Sequence, residues 1–188
     1  MKATEQLRAE HEGIRLMLRI MEAICLKLES GDRVDPEHLE KIVEFLRVFV
    51  DRCHHGKEED LLFPAMEAAG VPKQGGPLGV MLAEHDIGRG HVRDMVAALE
   101  RYRAGDGQAA LQLATHAREY IAFLNQHIEK ENNVLFPMAD AHVPASEHDQ
   151  LYEDFEKLEE EQIGPGVHEQ FHKLLDQLSK TYLGREET

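Results

Sequence analysis

The sequence predicts an all-α protein: an up-down-up-down four-helix bundle with a C-terminal helical extension. Three observations favour this fold class. Prolines and glycines are concentrated in a few short stretches, the segments between them repeat apolar residues every three or four positions, and no segment alternates with the period of two that strands show. We therefore expect a bundle over residues 1–140 and helices packed on it over residues 141–188.

Each bundle segment is expected to turn one face towards the core, apolar except for a histidine or a His/Glu pair. In the first segment this face consists of Leu7, His11, Ile14, Leu18, Met21, Cys25 and Leu28. In the second it consists of Val43, Leu46, Val50, His54, Glu58, Leu61 and Ala65. In the third it consists of Leu78, Met81, His85, Gly88, Val92, Met95, Leu99 and Tyr102. In the fourth it consists of Phe123, His127, Glu131, Val134 and Met138.

The second and fourth segments carry nearly the same phrase, which indicates an internal duplication of a helix hairpin. Residues 54–64 read HHGKEEDLLFP, residues 127–137 read HIEKENNVLFP, and AEHE around His11 returns as AEHD around His85. His11 and His85 are 74 residues apart, and His54 and His127 are 73 apart. Each LFP stretch is expected to pack one end of the bundle, with its proline breaking or bending the helix.

The duplicated polar residues are expected to meet inside the bundle. Counting from the turns places the two histidines of each hairpin at the same height, and residues four apart lie on one helix face. Two buried carboxylates without a cation would cost several kcal/mol each, so the cluster predicts a metal site. Its expected ligands are His11, His54, Glu58, His85, His127 and Glu131.

The number of ligands favours two metal ions. If Glu58 and Glu131 both bridge, each ion has two histidines and two carboxylate oxygens. An oxo or hydroxo bridge then supplies a fifth ligand and leaves a sixth position open. Oxygen and imidazole donors without thiolate suit iron or manganese better than a structural zinc, so manganese or mixed occupancy stays open.

The order His11, His54-x-x-x-Glu58, His85, His127-x-x-x-Glu131, with LFP after each pair, resembles the hemerythrin-like, HHE cation-binding family over residues 4–140. The resemblance implies a non-haem di-iron centre on these six residues, in a four-helix bundle. One position departs from the pattern.

The family's oxygen carriers have a further histidine one turn after the third-helix ligand, where this chain has Arg89. An open iron position is therefore expected, and simple reversible oxygen carriage is in doubt. His91 is an alternative ligand on the flank of the helix. His55 aligns with Ile128 in the repeat, so we expect it to lie beside the ligands or at the surface.

Composition and charge restrict the possible partners of the protein and its cellular compartment. The formal net charge of −15, from 36 acidic and 21 basic residues, disfavours a nucleic-acid partner. The two cysteines, Cys25 and Cys53, make no disulfide framework and fit a reducing compartment. The N-terminus lacks the apolar run of a secretory signal, and no window is long and apolar enough for a membrane span. A cytoplasmic protein is expected.

The function favoured by these residues is binding or sensing of O₂ or another diatomic ligand, NO, at an open iron position. We favour a ligand-binding protein over an enzyme. Three alternatives stay open: iron handling or repair of iron–sulfur clusters; oxidase, peroxidase or NO reductase activity; and signalling to a protein partner through the C-terminal helices.

Overall fold

The computed structural model describes residues 2–184 and confirms the all-α fold, because the described residues form helices and no strand. The helices run in chain order as α1 (Ala3–Glu29), α2 (Pro36–Phe45), α3 (Phe63–Ala68), α4 (Pro77–Arg103), α5 (Ala109–Lys130), α6 (Phe136–His142), α7 (Ala145–Gln162) and α8 (Val167–Leu183). π-helical turns over Leu46–His55 and Glu58–Leu62 join α2 to α3, and Glu131–Leu135 joins α5 to α6. Residues 36–68 are called the second rod, and residues 109–142 the fourth rod.

Asp35 and Pro36 determine where the second rod begins. The Asp35 side chain accepts a hydrogen bond of 2.9 Å from the Glu37 N–H, and Pro36 is the first helical residue. An N-cap carboxylate satisfies one of the free N–H groups at a helix start, and proline there gives up no hydrogen bond.

The prediction that Pro64 and Pro137 break their helices is wrong, whereas a bend at these residues stays a prediction. Both rods continue past these residues, to Ala68 and His142. In each rod a π-helical turn ends just before Phe63 or Phe136, and the proline then stands in the first turn of α3 or α6. Wider turns already replace the ordinary hydrogen-bond pattern there, so the missing proline N–H does not end the rod.

The apolar core is divided into two clusters, and the predicted metal ligands lie between them. The larger cluster includes Met17, Phe45, Met95, Ile121 and Leu178. The smaller cluster, at the other end of the bundle, includes Leu7, Leu62, Phe63, Leu135 and Phe136. Both LFP stretches therefore pack the same end, as the sequence predicts.

The two C-terminal helices cover one side of the bundle. α8 lies mainly on α1 and also reaches α2, whereas α7 contacts α1 and the π-helical part of the second rod. The Phe171 ring of α8 packs against Phe45 and Phe49, with ring centroids 5.5 Å and 5.8 Å away. Phe155 of α7 is fully buried in the smaller cluster. None of the described helices is long and apolar enough to cross a membrane.

Candidate metal centre

The structure brings the six predicted residues together in the middle of the bundle. They are His11 and His85 on α1 and α4, His54 and Glu58 on the second rod, and His127 and Glu131 on the fourth. None of the six is more than 1% exposed. His11, His54, Glu58 and Glu131 each have a ligand atom within 4.8 Å of the others, so this group can hold a metal ion.

The two carboxylates lie between two pairs of histidines. Glu131 Oε2 is 3.1 Å from His11 Nε2, and Glu131 Oε1 is 2.9 Å from His127 Nε2. Glu58 Oε1 is 3.7 Å from His54 Nε2, and its Oε2 is 3.3 Å from His85 Nε2. Each carboxylate therefore has one oxygen facing the His11/His54 pair and the other facing the His85/His127 pair.

In each of these histidines the outer ring nitrogen, Nδ1, which faces away from the centre, has an oxygen partner. This partner determines which ring nitrogen keeps its lone pair. The Nδ1 atoms of His54, His85 and His127 lie 2.7, 2.6 and 2.8 Å from carboxylate oxygens of Glu10, Glu59 and Glu84 respectively. In His11 the Nδ1 atom is 3.0 Å from Asn132 Oδ1. A carboxylate only accepts, so each partnered Nδ1 carries the proton and the Nε2 lone pair faces the centre.

The contact between His11 and His54 tests whether a cation fits. Their Nε2 atoms are 2.9 Å apart, and both Nδ1 atoms already face oxygen atoms of Asn132 and Glu10. Two bare lone pairs at this distance repel each other, so either a proton or a metal ion must lie between the two nitrogens. Two imidazole nitrogens bound to one metal at ~2.1 Å and at right angles would lie about 3 Å apart. The pair therefore has the spacing of two ligands on one ion.

The buried polar atoms at the centre point to the same conclusion. Both oxygens of Glu58, both oxygens of Glu131 and the Nε2 atoms of His85 and His127 are buried without an aligned hydrogen bond to a described residue. Buried carboxylates need a compensating cation or donor. Burial would lower the pKa of His85, but the carboxylates of Glu131, Glu58 and Glu59 outweigh it and raise that pKa to about 11. The centre thus attracts positive charge.

Sequence reasoning missed the residues that hold the outer nitrogens, although the duplication also repeats them. Glu84 follows Glu10 by 74 residues, the spacing of the α1 and α4 histidines. Lys130 follows Lys57 by 73, and each lysine donates to the glutamate of its own half, Lys57 to Glu10 and Lys130 to Glu84. The repeated AEH and the lysine before each Glu were the available signal.

The two halves differ in how deeply that lysine is buried. Lys57 is fully buried, and its Nζ donates to Glu10 at 2.5 Å and to Glu159 of α7 at 2.8 Å. Glu159 also accepts from His168 of α8 at 2.7 Å. Lys130, by contrast, has a side chain 49% exposed. The polar chain from His54 to His168 thus joins the centre to both C-terminal helices.

Phenylalanines of the LFP stretches close the end of the centre that faces the smaller cluster. The Phe136 ring stacks on His11 with centroids 5.4 Å apart, and Phe63 stacks on His85 at 5.9 Å. Each ring thus covers a histidine of the other repeat. Apolar rings at these positions exclude water from that side of the cluster.

The opposite side of the His85/His127 pair opens into a cavity of about 220 Å³. Its lining includes both histidines, Gly88 and Phe123, and helices α4, α5 and the second rod all contribute to it. Ile14 occupies the position equivalent to Gly88 in the other repeat. It is 1% exposed and packs in the larger cluster. Glycine in place of isoleucine is one reason why space remains beside His85 and His127.

The two residues discussed at the fifth-ligand position, Arg89 and His91, are now located. Arg89 is 31% exposed and pairs with Asp51 and Glu59, each at 2.8 Å. His91 lies beside Phe123, with ring centroids 5.5 Å apart, and is not one of the described histidines that cluster at the centre.

His55 is 5% exposed, and its ring lies on His85 with centroids 3.9 Å apart and planes 12° apart. A nitrogen of His55 lies within 4.8 Å of nitrogens of His85 and His127. Nearly parallel stacked rings do not point their lone pairs at one ion, so His55 forms a wall of the centre beside His85. The ligand roles of the six clustered residues stay a prediction.

A buried cluster of histidines and glutamates inside a helical bundle defines a cation-binding bundle protein. The family model of the hemerythrin HHE cation binding domain matches residues 2–139. The chain belongs to this family, which confirms the resemblance seen in the sequence.

Individual relatives share parts of this chain. An uncharacterized protein of Mycobacterium tuberculosis is 28% identical over 162 residues, which are 86% of this chain and 63% of the relative. The iron-sulfur cluster repair protein YtfE of Yersinia pestis is 38% identical over 89 residues, or 46% of this chain and 40% of that protein. The chain thus spans less than two thirds of the length of these relatives. No solved structure matches it.

Proposed function

We propose that the protein is a non-haem di-iron protein that binds or senses O₂ or NO at an iron position facing the cavity. The observation that carries this proposal is the one-sided opening of the centre. The cavity of about 220 Å³ reaches His85 and His127, whereas α7 and α8 cover the side of Lys57. A small neutral ligand can therefore approach the position at His85 and His127 through this cavity.

Two ions are proposed because Glu58 and Glu131 each face both histidine pairs. One ion would be held by His11 and His54, the other by His85 and His127, with both carboxylates shared. The donors are imidazoles and carboxylates, and the nearest buried thiol, Cys53, lies against Glu159 at 4.0 Å instead of facing the centre. This donor set favours iron, with manganese as the alternative.

The chain's own residues would keep the two positions unlike each other. Bound iron would supply the redox chemistry and an open coordination position. Glu10, Glu59 and Glu84 hold the proton on Nδ1 of three histidines, which keeps each Nε2 available and the ring in place. Gly88 and the apolar wall at Phe123 leave room for a small molecule.

The second candidate function is iron handling or repair of iron–sulfur clusters. The observation that favours it is the 38% identity over 89 residues with a protein named for that repair. A repair protein must release iron, so transfer of iron from the loaded protein to an apo-cluster acceptor would favour this function over ligand sensing.

The test combines metal analysis with optical spectroscopy. Protein loaded with ferrous iron under anaerobic conditions should hold two irons per chain, and addition of O₂ or NO should produce new charge-transfer absorption. Binding without turnover gives a change stoichiometric with the protein, whereas an enzyme would consume excess ligand. A loaded protein whose spectrum ignores both gases would refute the proposal.

A further inference from the structure

The cavity beside His85 and His127 is larger than a diatomic ligand requires. A water molecule takes about 30 Å³ of liquid volume, and a diatomic gas is of similar size. The cavity of about 220 Å³ therefore has room for a molecule of roughly seven heavy atoms. Most of its wall is apolar, with Leu46, Val50, Val92 and Leu124 among the lining residues.

The charged groups of the cavity lining are three arginines and two carboxylates, and both carboxylates, Asp51 and Glu84, already have a cationic partner. Arg47 and Arg93 line it and are exposed, and neither makes an ion pair with a described residue. Arg89 also lines it, although its guanidinium is shared with Asp51 and Glu59. Two unpaired arginines at one opening are notable in a chain with a net charge of −15, because they favour entry of an anion there.

The hydroxyl group of Tyr120, in the cavity wall, has no hydrogen-bond acceptor among the described residues. Tyr120 lines the cavity and is 2% exposed, and no described residue hydrogen-bonds its hydroxyl group. Buried tyrosine hydroxyls usually have a partner. A carboxylate ligand would give this hydroxyl an acceptor and would also carry the charge that Arg47 and Arg93 attract.

We propose that the cavity binds a small organic monocarboxylate whose short apolar chain lies against the cavity wall. The carboxylate accepts from Tyr120 and is attracted by Arg47 and Arg93. The inference rests on the proposed function in one respect, since it takes the cavity to be the approach to the metal pair. It adds the class of molecule that enters together with, or in place of, the diatomic ligand.

The experiment is a calorimetric titration of the iron-loaded protein with hexanoate. Hexan-1-ol is the neutral ligand of matched chain length, and acetate is the anion without the chain. Hexanoate is expected to bind at least tenfold more tightly than either, because only hexanoate has both the charge and the apolar body. Equal affinity for hexan-1-ol and hexanoate would overturn the proposal.

Variants locate the binding site. Replacing Arg47 and Arg93 together by alanine should weaken hexanoate binding at least tenfold. The matched control replaces Arg19 and Arg52, which are exposed and do not line the cavity, and should change affinity less than twofold. Gly88→Ile should fill the cavity and abolish binding while the iron content stays unchanged.

Tyr120→Phe removes one hydroxyl and keeps the ring, so it tests the site even if Gly88→Ile does not fold. It should weaken hexanoate severalfold and leave hexan-1-ol unchanged; unchanged hexanoate affinity in this variant and in the arginine variant would overturn the proposal. The titration uses neither O₂ nor NO. A protein that binds hexanoate but ignores both gases would refute the proposed function alone, and a gas-responsive protein without hexanoate binding would refute this inference alone.

Discussion

The two halves of the centre contain the same kinds of ligand but have different surroundings. Around His11 and His54, α7 and α8 cover the bundle and Lys57 is fully buried. Around His85 and His127, Lys130 is half exposed and a cavity reaches the ligands. Duplication thus accounts for the set of candidate ligands, whereas the surrounding residues differ: α7 and α8 cover one half, and a cavity reaches the other.

The largest expected effect comes from removing a carboxylate that faces both halves of the centre. Glu131→Ala removes a residue that faces His11 with one oxygen and His127 with the other. We expect metal content to fall from two ions per chain to one or fewer, as measured by elemental analysis after gel filtration. His168→Ala is the control and should keep two ions. Two tightly held ions in the Glu131 variant would contradict the bridging arrangement.

The paired lysines test the difference in burial. Lys57→Met leaves the buried Glu10 and the partly buried Glu159 without their shared cation, and should cost about 3–5 kcal/mol of unfolding free energy. Lys130→Met, at the repeated position, should cost under about 1 kcal/mol because the Lys130 side chain is half exposed to water. Urea unfolding at equal metal content measures both. Similar costs would show that the burial of Lys57 does not matter for stability.

Alanine substitutions at the equivalent positions 14 and 88 should change the unfolding free energy in opposite directions. Ile14→Ala should destabilise the protein by about 2–5 kcal/mol, since it empties a packed site. Gly88→Ala should stabilise it by up to about 1 kcal/mol, because alanine favours the helix and its Cβ would lie 3.4 Å from Phe123, an ordinary contact. Urea unfolding of the two variants gives both changes. A destabilised Gly88→Ala variant would mean that the cavity wall cannot accept a methyl group.

The smallest expected effect concerns the acid side of the pH profile. Burial alone would raise the pKa of Glu159, but hydrogen bonds from His168 and Lys57 outweigh it and lower that pKa from 4.5 to about 2. The ionised carboxylate therefore stabilises the fold above pH 4.5, and this contribution is lost as the pH falls towards 2.

Glu159→Gln should make the unfolding free energy change less steeply with pH between 4.5 and 2, as measured by urea unfolding at successive pH values. Glu160→Gln, on the exposed part of α7, is the matched control. Identical slopes for the two variants would rule out the contribution of Glu159.

Much of the centre could be predicted because helical geometry and the internal repeat can be read from residue spacing in the sequence. A histidine and a glutamate four residues apart share a helix face, and equal distances from the turns place His11 and His54 at one height. The partners of the outer nitrogens could also have been found, since Glu10 and Glu84 occur in the repeated AEH.

The π-helical turns had no such signal. Leu46–His55 follows α2 without a glycine or proline to mark the change, and hydrogen bonding across the wider turn depends on packing that the local sequence does not show.

The sequence by itself determined the helical class, the duplicated hairpins and the candidate ligands, because periodicity and spacing are properties of a single chain. Only the tertiary structure decided that α7 would bury Lys57 against Glu159, that His55 would stack on His85, and that Gly88 would leave a cavity. These outcomes depend on which helices cover which faces, and such contacts join residues far apart in the chain. The symmetry of the ligands is therefore encoded locally, and the asymmetry of the centre arises from packing.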